Sequence, residues 1–110
     1  MAVTATQKNP GVNGKLTTGR YLTSSTAAAI TITLGFKPRY VKVQNLNGSG
    51  YAALEWYEGM ADASAVLTGI DGAISLITSL GITPSANGFV IGLQTDVNVI
   101  NEQLSWMAMA

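Results

Sequence analysis

The sequence predicts an all-β domain, and three observations carry the prediction. Apolar and polar residues alternate through Ala29-Ile30-Thr31-Ile32-Thr33-Leu34, Arg39-Tyr40-Val41-Lys42-Val43-Gln44 and Tyr51 to Tyr57, the period-2 pattern of half-buried strands. Turn-forming pairs recur between them, among them Asn47-Gly48 and Asn87-Gly88. The apolar runs are short and stand roughly 8–12 residues apart, the spacing of a sandwich or barrel. The expected architecture is an antiparallel β-sandwich or jelly-roll-like domain over residues 21–110, preceded by an extended N-terminal arm over residues 1–20.

The arm is rich in Thr, Asn, Gly and Lys, carries Pro10-Gly11 and Asn13-Gly14 as turn signals, and has few apolar residues. Ile30, Ile32 and Leu34 then share one strand face. Gly35 to Pro38 turns the chain, and Val41 and Val43 point inward on the next strand with Arg39 and Lys42 outward or at its edge. After the turn Asn45 to Gly50, Ala52, Leu54 and Trp56 share a face, opposite Tyr51, Ala53, Glu55 and Tyr57. Residues 58–72 read as a loop around a short strand at Ala65-Val66-Leu67. For Gly72 to Leu80, periodicity leaves strand and short helix open. Ile82 to Gly88 reads as a loop, Phe89 to Leu93 as a strand, and Val97 to Ile100 as a short segment. Gln103 to Ala108 is the last strand, with Leu104 and Trp106 on one face.

Composition narrows the function. The 110 residues carry six Lys and Arg against six Asp and Glu, only 11% charged in all, where an average soluble domain has roughly 25%. There is no Cys and no His. Disulfide scaffolding, thiol catalysis and cysteine zinc sites are excluded, and so are the commonest metal ligand and the usual general base near neutral pH. A surface so poor in charge and without net charge repels its own copies weakly, which marks a subunit rather than a free monomer. Met1 to Pro10 has no apolar run, so no signal peptide is expected. Prolines and glycines interrupt the uncharged stretch between Asp71 and Asp96, so it is not expected to span a membrane.

The zero net charge conceals an asymmetry. Lys8, Lys15, Arg20, Lys37, Arg39 and Lys42 all precede residue 43, whereas Glu55, Glu58, Asp62, Asp71, Asp96 and Glu102 all follow residue 54. Either the basic part of one copy meets the acidic part of another, or strands of the two halves interleave and mix the charges in one sheet. The second is favoured, because sheets pair distant segments. The basic residues are too few for a nucleic-acid footprint.

No catalytic constellation emerges. Glu55 and Glu58 fall on opposite sides of a strand, and Glu58 with Asp62 lacks the dense alternating carboxylates of a calcium loop. No phosphate-cradling glycine loop or Ser elbow is present. No enzyme activity, cofactor or metal is expected. Trp56 and Trp106 read as core residues in preference to a sugar-stacking platform. The apolar end Trp106-Met107-Ala108-Met109-Ala110 reads as buried in a sheet or an interface.

The run Leu34 to Asn45 contains Gly35-Phe36, Pro38, Val41, Val43 and Asn45, a GF-x-P-x-x-V-x-V-x-N pattern. Glu55 to Met60, Gly88 to Gly92 and Trp106 to Ala108 follow in order. The set, from Ile30 to Ala110, resembles small virion structural proteins of tailed bacteriophages. The resemblance implies a β-sandwich that assembles, often as a trimer, and carries no catalytic residues. It places such proteins on the capsid or in head or tail fibres without separating the two; the leading expectation is a capsid decoration or cement subunit made in the host cytoplasm and placed on the capsid surface. Its expected partners are sister copies and the major capsid protein or neighbouring virion proteins, with no membrane and no direct nucleic-acid contact. Lys8, Lys15 and Arg20 of the arm, with Lys37, Arg39, Lys42, Trp106, Met107 and Met109, are the expected interface residues. The alternative is a head- or tail-fibre module that recognises a receptor or carbohydrate.

Overall fold

The computed structural model describes residues 15–47 and 51–110. They form eight strands: β1 (Leu16–Leu22), β2 (Ile30–Thr33), β3 (Tyr40–Asn45), β4 (Ala53–Tyr57), β5 (Ser64–Thr68), β6 (Ile74–Ser85), β7 (Gly88–Ile91) and β8 (Gln103–Met109). Among the described residues there is no helix, so the all-β expectation holds. All eight strands belong to one antiparallel sheet in the order β1-β8-β3-β4-β5-β6-β7-β2. The sheet is curled, because the β7 residue Phe89 meets the β8 residue Trp106 edge to face, with ring centroids 5.8 Å apart. Those strands stand at nearly opposite ends of the order, so only a folded-over sheet brings them together.

The fold-over is built into β6. Ala65 pairs with Ile77, yet its neighbour Ser64 pairs with Ile82. Thr78, Ser79, Leu80 and Gly81 therefore have no partner on β5 and form a wide bulge. Leu80 and Ala63 both adopt left-handed backbone angles there, φ 63° and 64°, a region that costs an L-residue roughly 1–2 kcal/mol. Gly81 allows the close approach: a Cβ on it would sit 2.6 Å from the Ser64 carbonyl carbon. Bulges turn strands in this way where a sheet bends around a corner. The first half of β6 pairs with β5 and the second half with β7.

The concave face holds the core. Val41 and Val43 of β3, Leu54 of β4, Ala65 of β5, Ile82 of β6, Phe89 and Ile91 of β7 and Leu104 of β8 are all fully buried, as strand alternation requires. Ile30 joins them from β2. Residues 92–102 close one end of this core and are held by three buried polar side chains. Asn45 Nδ2 donates to Val97 O at 3.0 Å and to Glu102 Oε1 at 2.9 Å. Asn98 Nδ2 donates to Ala28 O and Gly92 O. Thr23 Oγ1 donates to Val99 O and Glu102 O and accepts from Glu102 N.

Several local expectations change. The arm segment does not stay apart from the sheet throughout, since Leu16 to Arg20 lie in β1 and pair with β8; residues 1–14 lie outside the described residues, as do Gly48 to Gly50 of one expected turn. Gly72 to Leu80 resolves as strand from Ile74. Ile82 to Ser85 is strand, not loop. Pro84 can sit there because β5 has ended at the Ile82 position, leaving β7 as the neighbour of this part of β6, and proline is tolerated on such an edge. Within the short segment expected after β7, Val97 lies in a turn and is fully buried as a plug.

Candidate functional site

The sheet has a second face, and alternation decides what stands on it. Register places Leu16, Met109, Tyr40 and Tyr57 in one row across β1, β8, β3 and β4. The next row runs Thr18, Met107, Lys42, Glu55, Val66 and Leu76, and the third Arg20, Ser105, Gln44, Ala53, Thr68 and Ile74. Antiparallel sheets often leave one face to water, but this one is not uniformly polar. Ile74 is 73% exposed and Leu76 66%, and at the other end Leu22 is 62% and Leu16 59% exposed.

The centre of the face is polar and tied together. Tyr40 Oη donates to Glu55 Oε2 at 2.7 Å and Tyr57 Oη donates to the same oxygen at 3.2 Å. The two rings stand 5.2 Å apart at 56°. Burial, then the hydrogen bond and charge of Glu55, push the Tyr40 hydroxyl well above the ordinary tyrosine range. The charge of Glu55, foremost, raises Tyr57 as well. Next to them Arg39 Nε donates to Glu58 Oε1 at 3.4 Å, an exposed pair of small energetic worth. Arg39, Tyr40, Glu58, Met109 and Ala110 line an open groove of about 270 Å³. These groups can hydrogen-bond a polar ligand, but they include no nucleophile paired with a base. Among the described residues no three His, Cys, Asp or Glu lie together as metal ligands would.

The expected interface residues are distributed unevenly. Met107 and Met109 lie on the outer face, with Arg20 and Lys42 in its rows. Arg39 lies beside the face, at the groove. Trp106 points the other way and packs against the core, and buried Trp56 donates its indole N–H to Ala61 O at 3.2 Å. Lys37 is exposed between β2 and β3. Lys15 precedes β1 and holds its ammonium 5.7 Å from the Phe36 ring centroid. Lys8 lies outside the described residues. Charge mixing occurs between β3 and β4, where Lys42 faces Glu55 in register and Arg39 pairs with Glu58. It does not reach the ends: Lys15 and Arg20 stay at the β1 edge, while Asp71 and Asp96 stay by the β5–β6 hairpin. Sequence reasoning missed the exposed Ile74 and Leu76, because an isoleucine and a leucine two apart read equally well as core.

No protein family matches the chain, and no curated protein or solved structure matches it. The fold and the outer face are therefore the physical basis for a functional reading.

Proposed function

We propose that this chain is a structural subunit of a bacteriophage virion, a decoration or cement protein that binds the assembled head and stabilises it. The observation that carries the reading is the outer sheet face, sparsely charged and with large aliphatic side chains exposed at both ends. Exposed apolar patches mark interaction surfaces, and stable oligomer interfaces are more apolar than ordinary surface. The ordered set of segments that resembles small phage virion proteins gives the class of assembly. In this reading the bend in β6 divides a sandwich or jelly-roll-like domain into two layers. One holds β1, β8, β3, β4, β5 and the first half of β6, and the other holds the second half of β6 with β7 and β2. The subunit assembles with sister copies, a trimer in the first instance, and meets the major capsid protein, with residues 1–14 extending the contact. A count of copies in purified particles tests this. Hundreds per particle support decoration, and a few dozen or fewer overturn it in favour of a fibre or tail component. Deletion of residues 2–14, which leaves β1 whole, tests the arm through loss of capsid binding.

A second reading, a fibre module that recognises carbohydrate, draws on exposed Tyr57 beside Glu55 and the neighbouring groove. There Tyr57→Ala abolishes binding to host surface glycan, whereas a decoration subunit shows no glycan binding to lose.

A further inference from the structure

Among the described residues the first half of β6 has a neighbour on one side only. Ile74 to Ile77 pair with β5, and β7 takes up pairing only from Ile82 onward. Strand β1 is open in the same way, since among the described residues its partner is β8 alone. The two strands thus bound one six-stranded layer, β1-β8-β3-β4-β5-β6, and no described residue pairs with the outer side of either. Open edges are templates for pairing with another chain, and proteins usually blunt them with charge or proline. The Ile74-Ser75-Leu76-Ile77 edge has neither, and its Ile74 and Leu76 side chains are among the most exposed large apolar groups of the molecule.

We infer that a second copy of this chain covers that edge, with β1 of one copy pairing head to tail with the first half of β6 of the next. Three observations select this occupant. Neighbouring strands in the layer are all antiparallel and there are six of them, so β6 runs opposite to β1. Appending β1 of a next copy to β6 keeps the antiparallel alternation and the same face outward. The apolar side chains then continue across the junction, because Leu16 and Leu22 stand on the same outer face as Ile74 and Leu76. Charge matches too. Antiparallel pairing brings Arg20, near the end of β1, toward the start of β6, where Asp71 Oδ1 and Asp96 Oδ2 crowd over Gly69, 3.2 and 3.6 Å from where its Cβ would be. Among the described residues the ion pair is Arg39–Glu58, so no ion pair there engages Arg20, Asp71 or Asp96, although Asp71 Oδ1 also accepts from Ala73 N at 3.0 Å. Backbone pairing of this kind supplies affinity while side chains on one face set the register. The contact is heterologous, so each copy has one donor and one acceptor edge.

The inference rests on the reading of the chain as an assembling subunit, and complementation between variants tests it separately. Leu76→Lys spoils the β6 edge and leaves β1 intact, and Arg20→Glu does the reverse. Both positions are exposed, and a far-UV circular dichroism spectrum identical to the unaltered chain checks that each variant folds. The full chain is expected to show a mass above that of its 11.4 kDa monomer by light scattering. Each variant alone falls to the monomer mass. An equimolar mixture of the two forms a heterodimer that grows no further, since only one intact pair of edges remains. A monomeric unaltered chain, variants that keep its mass, or a mixture that stays monomeric each overturn the edge pairing. Absence of the chain from virions would leave the pairing standing and remove only the virion reading.

Discussion

Trp106 lies over the backbone of Gly19: a Cβ added there would stand 2.7 Å from the indole Cε2. Gly19 is Trp106's register partner across β1 and β8, and its missing side chain lets the ring lie on the sheet and meet the Phe89 edge. The contact joins both ends of the curled sheet. Gly19→Ala therefore forces the indole off its seat. Overpacking of this kind costs about 1–3 kcal/mol, read as a lower unfolding midpoint together with a red shift of tryptophan emission.

Truncating the other ring of that pair removes the far wall of the core. Phe89 is fully buried, and Phe89→Ala is expected to cost about 3–5 kcal/mol. Denaturant unfolding measures this directly, with an unchanged slope if the fold survives.

Asn45 acts as a rivet between β3 and residues 97–102. Besides its two donated bonds, its Oδ1 accepts from Asn47 N at 2.8 Å. Asn45→Ala strands a buried Val97 carbonyl, and an unsatisfied buried group costs about 1–3 kcal/mol. Hydrogen exchange is expected to speed up first in the 93–102 segment, before the strands.

Tyr40, with Tyr57 raised beside it by the same Glu55, is expected to make stability fall at alkaline pH. Its folded-state proton is held more tightly than in the unfolded chain, so below a pH of about 10, the ordinary tyrosine value, both states keep it and Tyr40 adds no slope. Above that the unfolded chain releases its proton first, and stability falls as pH rises toward the raised folded value. Tyr40→Phe flattens this fall, measured as unfolding midpoint against pH from 9 to 12. An unchanged slope contradicts the assignment.

The strands of the central sheet were legible because their alternation is strict. Val41 and Val43, Leu54 and Trp56, Leu104 and Ala108 all face the core, as period-2 patterning requires. The bend in β6 was not legible, since four unpaired residues interrupt the periodicity and Pro84 imitates a loop. The burial of Val97 carried no sequence signal for a related reason: an apolar residue that plugs the end of a core has no period at all. For the outer face, sequence supplied the scarcity of charge, but not which aliphatic residues remain exposed. That depends on where β5, β6 and β7 stop pairing, a property of register rather than of composition.

We propose that this chain is an assembling subunit, and the solution mass of the full chain decides the matter. Light scattering across a range of concentrations should give a particle heavier than 11.4 kDa. The apolar corners, Leu16 and Leu22 with Ile74 and Leu76, should lose hydrogen-exchange accessibility in β1 and the first half of β6 as the particle forms. A monomer at every concentration, with both edges freely exchanging, would contradict it.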